Sequence, residues 1–193
     1  MTFPTQLSLL RIVLTFLIMG LLFHGSARAT AAAAILFVTA SLTDWLDGFL
    51  ARRYNLKSDL GALLDPIADK ELVLGTFLAF VQLGIVPAWM VLVIALREFL
   101  ITGVRLIAAG RRVVLSAAKE GKQKTVSQIG TLLVLFGALI SYQHGGWTPG
   151  SEAGMWIARA VAACLWVTVA LTLHSGFMFF WQHRAILRDV VNP

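Results

Sequence analysis

Five of the ten acidic residues in this 193-residue chain fall in one short stretch, between positions 44 and 69. Asp44 and Asp47 are three residues apart, and Asp65 and Asp69 are four apart, so each pair would share a helix face. Carboxylate oxygens are the ligands that hard cations such as Mg²⁺ or Mn²⁺ take. Two such ions, about 3.5–4 Å apart, are the usual clamp for displacement at phosphorus. The four acids therefore predict a two-metal site.

Small residues and an arginine accompany these acids at helical spacing. Gly48 lies one turn after Asp44, and Ala51 is small on the same side. Gly61 precedes Asp65 by four residues. Arg52 follows one turn after Gly48, and an arginine binds phosphate as a planar fork. This pattern predicts a slot with small walls, metal at its base and an arginine at its edge.

The elements that carry these residues are apolar. The chain is 58% hydrophobic and 13% charged, whereas about a quarter of a soluble domain is charged. This composition excludes a soluble globule and also a disordered chain. The net charge of +6 indicates membrane orientation and anionic head groups rather than nucleic acid. Cys164 is the only cysteine, so no internal disulfide forms.

Six segments are apolar enough to cross a bilayer, which takes about 20 residues. They are Leu9–Phe23, Ala31–Ala51, Leu60–Leu83, Pro87–Ala109, Val126–Tyr142 and Met155–Trp181. We therefore predict an all-α polytopic membrane protein. It would form one six-helix catalytic domain over residues 1–193, with a short interfacial segment at about residues 1–8.

Lysine and arginine are concentrated on one side of the predicted membrane. That side receives Arg52, Arg53, Lys57, Arg111, Arg112, Lys119, Lys122, Lys124, Arg184 and Arg188. The other side holds Arg28 and Arg159. By the positive-inside rule, both termini and the acidic site should face the cytoplasm. An alternative is that Arg11, the following apolar stretch and Ala27–Ala29 form a cleavable signal peptide. Its removal would leave five spans.

The acids and their small neighbours form the run D-x2-D-G-x2-A-R-x8-G-x3-D-x3-D from Asp44 to Asp69. This run resembles the signature of the CDP-alcohol phosphotransferase family, and all eight fixed positions are present. The resemblance implies six transmembrane helices, a homodimer and a catalytic site at the cytoplasmic membrane surface. Membership would imply two Mg²⁺ or Mn²⁺ ions per site.

The resemblance also implies a role for each matched residue. The metal ligands would be Asp44, Asp47, Asp65 and Asp69. Asp69 would also be the catalytic base that takes the proton of the acceptor hydroxyl. The pocket for the CDP group of the lipid substrate would be formed by Gly48, Ala51, Arg52 and Gly61.

A second stretch bears on the acceptor alcohol. Gly121-Lys122-Gln-Lys124-Thr125, with Gln128, resembles G-K-x-K-T-x2-Q in the family members that make phosphatidylglycerol phosphate. Those members imply CDP-diacylglycerol and glycerol 3-phosphate as substrates. Basic residues suit an acceptor that carries a phosphate, and the candidates are Arg105, Lys122 and Lys124. The alternative is that the lysines only obey the positive-inside rule.

Some positions depart from the family pattern or have two interpretations. Relatives often begin with P-N-x-L-T-x2-R; here Thr5 and Ser8 replace the asparagine and threonine, while the arginine persists as Arg11. Ala95-Leu-Arg97-Glu98 also resembles the phosphatidylglycerol phosphate branch, but Arg97 and Glu98 would equally suit a structural ion pair.

Two functional alternatives stay open from the sequence. Within the family, the acceptor could instead be inositol phosphate, serine or phosphatidylglycerol. In another class, the acids could coordinate a cation that the protein transports. Transporter sites tend to lie near the bilayer midplane. The acids here lie close to Arg52, Arg53 and Lys57, at a predicted membrane edge, which favours the enzyme.

Overall fold

The computed structural model describes the backbone of residues 3–54, 59–110 and 120–184, and the side chains of residues 9–43, 70–110 and 123–184. Regular structure in this part of the chain is α-helical throughout. The helices are α1 (Phe3–Phe23), α2 (Ala27–Tyr54), α3 (Asp59–Gln82), α4 (Ala88–Gly110), α5 (Glu120–Gln143) and α6 (Glu152–Gln182). The predicted all-α fold is confirmed, and each predicted span corresponds in order to one helix.

Tight turns join the helices in consecutive pairs. Gly25, Gly84 and Gly145 follow the ends of α1, α3 and α5 with φ angles of 74°, 72° and 74°. A left-handed residue at this place ends a helix, and glycine adopts that conformation without a side-chain clash. At the start of α6, the Ser151 hydroxyl accepts a hydrogen bond from the Gly154 amide at 3.0 Å. These local signals reverse the chain after α1, α3 and α5.

Aromatic side chains from three helices form the centre of the bundle. The rings of Phe37 on α2 and Phe136 on α5 are 5.8 Å apart, and Phe80 on α3 meets Phe136 edge-on at 5.2 Å. All three phenylalanines are buried. Within the described residues, α3 packs most extensively against α1 rather than against α2.

The bundle is apolar outside and partly polar inside. Large side chains such as Phe16, Leu92 and Phe177 are more than half exposed, at 65%, 58% and 64%. In contrast, Thr131 and Thr168 are buried, and their hydroxyl oxygens lie 2.8 Å apart between α5 and α6. A surface of this kind suits lipid, which does not penalise exposed apolar groups.

Two helical segments in the described part of the chain are long and apolar enough to cross a membrane, Gln123–Gln143 and Glu152–Gln182. Leu9–Phe23 and Ala27–Thr43 are shorter apolar segments. Helix α4 carries three charged residues, Arg97, Glu98 and Arg105, which lower its apolar character. Six helices are thus present, and six membrane crossings stay a prediction.

The helix boundaries place the N-terminal segment and Pro66 inside helices. Helix α1 is continuous from Phe3, so the proposed N-terminal segment belongs to this helix. Its location at the membrane interface stays a prediction. Helix α3 begins at Asp59 and continues through Pro66.

A close approach between α1 and α3 gives a test of the packing. A Cβ atom added at Gly75 would lie 2.5 Å from Cγ2 of Thr15, which is buried. We expect Gly75→Ala to lower stability by about 1–3 kcal/mol, because overpacking moves the helices apart. Thermal unfolding in detergent measures this loss.

The matched control is Gly137→Ala, since a Cβ atom there meets nothing within 4 Å. Adding Thr15→Ser to Gly75→Ala removes the clashing methyl group and keeps the hydroxyl that donates to the Arg11 carbonyl at 3.0 Å. The double variant should recover most of the lost stability. Equal stability of Gly75→Ala and Gly137→Ala would contradict the close packing of α1 on α3.

Candidate functional site

The predicted metal ligands lie on two helices that follow each other in the chain. Asp44 and Asp47 belong to the C-terminal part of α2, and Asp65 and Asp69 to the first half of α3. The backbone is helical at all four, as the spacing argument requires. Their side chains lie outside the described residues, as do those of Gly48, Ala51, Arg52, Gly61 and Lys122. The roles of these residues stay predictions.

A cavity of about 60 Å³, lined by both apolar and charged side chains, lies between α1, α2, α3, α4 and α5. Among the residues whose side chains are described, its charged lining consists of Arg11, Lys70 and Lys124 with one carboxylate, Glu98. The described residues of the lining alone therefore carry three positive charges and one negative charge at neutral pH. A concave site of this sign attracts small anions.

The cavity adjoins the segments that carry the predicted metal ligands. Ser41 contributes to its wall from α2, three residues before Asp44, and Lys70 contributes from α3, directly after Asp69. Since a helix rises about 1.5 Å per residue, both wall positions are within one turn of an aspartate along the helix. The cavity and the acidic stretch therefore belong to one region of the protein.

Glu98 connects three helices through its charged partners. Its Oε1 atom accepts from Lys124 Nζ on α5 and, at 3.2 Å, from an Arg97 guanidinium nitrogen. The other terminal nitrogen of Arg97 donates to the Ser175 hydroxyl on α6 at 2.7 Å. Glu98 and Lys124 are only 8% and 7% exposed. Because an isolated buried charge is costly, this network holds the Lys124 ammonium at the cavity wall.

The expected acceptor-binding residues do not all meet at this cavity. Lys124 lines it, whereas Arg105 does not. The Arg105 guanidinium lies 5.3 Å from the ring centre of Phe179 on α6, and its side chain is exposed. The structure thus places Lys124 at the cavity, and its phosphate-binding role stays a prediction. For Arg105 that role stays a prediction without a contact to the cavity.

Sequence reasoning gave no site role to Arg11, Ser41 or Lys70. Arg11 carried a usable signal, because an ionisable residue inside an apolar segment marks a functional site by default. It is only 8% exposed and lines the cavity. Lys70 follows Asp69 directly, and from the sequence alone it suggests only a counter-charge for the acids. Ser41 gave no signal, since a serine in an apolar helix is common.

The oxygen donors of the acidic stretch indicate which metals the protein could bind. Among the side chains of residues 9–43, 70–110 and 123–184, no three His, Cys, Asp or Glu residues come together as a metal site. The expected ligands are four aspartates on the helical segments outside those ranges. Hard oxygen donors of this kind fit Mg²⁺ or Mn²⁺ and do not favour zinc.

Comparison with known proteins finds similar sequences over most of the chain. The model of the CDP-alcohol phosphatidyltransferase family matches residues 1–174. A Bacillus subtilis relative is 39% identical over 160 residues, covering 83% of this chain and 77% of its own. An Escherichia coli K12 relative is 33% identical over 191 residues, covering 96% and 97%. A Rickettsia typhi relative is 32% identical over 179 residues, covering 92% and 94%.

All three relatives are named CDP-diacylglycerol–glycerol-3-phosphate 3-phosphatidyltransferase. The family match includes the acidic stretch and the residues that line the cavity. It also favours the transferase over the cation transporter. By its matched residues and by relatives aligned over nearly its full length, the chain belongs to the CDP-alcohol phosphatidyltransferase family.

Proposed function

We propose that this protein transfers a phosphatidyl group from CDP-diacylglycerol to glycerol 3-phosphate and releases CMP. The observation that carries the proposal is the near full-length similarity to relatives named for this reaction. The product is phosphatidylglycerol phosphate. The acceptor assignment draws further support from the cavity.

We propose that the cavity receives the phosphate of the small acceptor. Its volume of about 60 Å³ has room for a few water-sized groups, which is enough for a phosphate group. Its net positive lining suits a phosphate. Lys124 would hold the acceptor's phosphate, with Arg11 and Lys70 adding to the positive field. Lys122 and Arg105 are proposed to assist from outside the cavity.

The acidic stretch would carry out the transfer. Asp69 would accept the proton of the acceptor's terminal hydroxyl, whose oxygen then bonds to the phosphorus that bears the lipid. The bond from that phosphorus to the bridging oxygen of the diphosphate breaks, and CMP departs with the electron pair. Arg52 would bind the nucleotide's phosphates, with Gly48, Ala51 and Gly61 leaving room for the cytidine.

The divalent ions would be held by Asp44, Asp47, Asp65 and Asp69. When bound, Mg²⁺ or Mn²⁺ supplies positive charge that neutralises the diphosphate and the charge that develops during transfer. The aspartates fix the position of that charge. Orienting the acceptor hydroxyl against the diphosphate is the task of the cavity residues.

The protein is proposed to span the cytoplasmic membrane six times, with both termini and the site on the cytoplasmic side. Support comes from the apolar exterior and from the lysine and arginine asymmetry. Exposed aromatic residues near the turns that follow α3 and α5 suit a membrane interface. They include Trp89, Tyr142 and Trp156. The homodimer implied by the resemblance stays a prediction.

An acceptor panel tests the proposed function. Purified protein in mixed micelles receives CDP-diacylglycerol, Mg²⁺ or Mn²⁺, and one acceptor at a time. CMP release is measured with glycerol 3-phosphate, inositol phosphate, serine and phosphatidylglycerol. We expect release with glycerol 3-phosphate and at most trace release with the others. Turnover with inositol phosphate and not glycerol 3-phosphate would refute the acceptor assignment.

A further inference from the structure

Two polar atoms in the cavity wall have no hydrogen-bond partner among the described residues. They are Nε2 of Gln128 on α5 and Oγ of Ser41 on α2. Gln128 is only 4% exposed, and both atoms are shielded from solvent. A buried amide that makes no hydrogen bond costs stability, so a native structure that keeps one calls for an explanation.

The position of Gln128 suggests that explanation. It is four residues after Lys124 and therefore lies on the same face of α5. Both side chains line the cavity, and Ser41 lines it from another helix. The cavity thus combines a cationic group with two uncharged hydrogen-bonding groups. A small molecule that carries a phosphate and a nearby hydroxyl matches this combination.

We infer that Gln128, assisted by Ser41, is the specificity-determining residue that recognises the acceptor's middle hydroxyl. The inference rests on the proposed function and deepens it. The Gln128 amide N–H donates to that hydroxyl oxygen, while the Ser41 hydroxyl can donate or accept. The acceptor's phosphate lies against Lys124. The terminal hydroxyl, which reacts, is directed towards the aspartates of α2 and α3.

This assignment explains why a neutral glutamine is useful beside three cations. A further cation would raise phosphate affinity without distinguishing one phosphorylated alcohol from another. An amide that loses its only partner when the hydroxyl is missing discriminates strongly, because the unmade hydrogen bond is then buried. Specificity for a polyol phosphate over a simple alkyl phosphate follows.

The test compares two acceptors that differ in one hydroxyl. Glycerol 3-phosphate has the middle hydroxyl, and 3-hydroxypropyl phosphate lacks it but keeps the phosphate and the reactive terminal hydroxyl. CMP release gives kcat/KM for each acceptor with the full-length protein in mixed micelles. The wild type should prefer glycerol 3-phosphate by about 10-fold or more.

Gln128→Met keeps the side-chain length and removes the amide. We expect kcat/KM for glycerol 3-phosphate to fall by about 3- to 10-fold, while the value for 3-hydroxypropyl phosphate stays within about 2-fold. The matched control is Gln123→Met, because Gln123 is an exposed glutamine on the same helix. The control should leave both values unchanged.

Ser41→Ala provides a second variant if Gln128→Met does not fold. Ser41→Ala should also reduce the preference for glycerol 3-phosphate, but by less than Gln128→Met does. Equal losses with both acceptors, or no loss with either, would show that these residues only pack the cavity wall and would overturn the inference. A wild-type protein that does not use glycerol 3-phosphate at all would instead refute the proposed function, and this inference with it.

Discussion

Replacing Asp69 by asparagine is expected to lower kcat by about 10²- to 10⁴-fold while the protein still inserts into membranes. The expected fall in kcat is that for loss of a general base, because an amide cannot take the acceptor's proton. The substitution also removes one negative charge from the proposed metal-binding set. CMP release from CDP-diacylglycerol and glycerol 3-phosphate measures the loss.

Asp47→Asn should be equally damaging for a different reason. Asp47 is proposed only as a metal ligand, so its loss should also weaken metal binding. Thermal unfolding with increasing Mg²⁺ or Mn²⁺ gives a readout apart from activity. The wild type should gain stability from the metal through preferential binding to the folded state, and the variant should gain less.

Asp59→Asn is the matched control for both variants. Asp59 belongs to the same acidic stretch and begins α3, but it is not a fixed position of the signature. Activity should be near normal, with at most a small loss of helix stability from the removed N-terminal charge. Near-normal kcat for Asp47→Asn or Asp69→Asn would refute the two-metal mechanism.

Replacing Lys124 by methionine should raise KM for glycerol 3-phosphate by about 10- to 150-fold. A hydrogen bond to a charged group is worth about 1.5–3 kcal/mol, and each 1.4 kcal/mol is tenfold in affinity. The KM for CDP-diacylglycerol should change by less than about 3-fold, since Lys124 is proposed to contact only the acceptor. Initial rates with each substrate varied in turn measure the difference.

The ion pair with Glu98 could make the same variant unstable, and a double variant separates the two effects. Lys124→Met leaves the Glu98 carboxylate paired with the Arg97 guanidinium at 3.2 Å. Adding Glu98→Gln removes that buried charge and should restore part of the stability. It should not restore the KM for glycerol 3-phosphate.

Lys119→Ala controls for the general effect of basic residues on topology. Lys119 precedes Lys124 by five residues in the sequence and has no proposed contact with the acceptor. It should leave both KM values unchanged. Equal increases of both KM values in Lys124→Met would show that Lys124 has only a structural or topological role and does not bind the acceptor.

The sequence by itself determined the elements of this fold and the chemistry of its acids. Apolar composition predicted the helices. The glycines at positions 25, 84 and 145, which the sequence argument did not use, follow three helix ends with a left-handed backbone. The acid spacing needs only a helix to place Asp44 with Asp47 and Asp65 with Asp69. Each of these features is local, so it depends on neighbours a few residues away.

Only the tertiary structure decided which helices meet and which charges face inward. Helices that are hydrophobic all round do not reveal their inward face by periodicity. Arg11, Glu98 and Lys124 are far apart in the chain, and packing brings them to one cavity. The contact of Gly75 with Thr15 shows the reason: helix pairing depends on the shape of side chains from distant segments, which no local pattern contains.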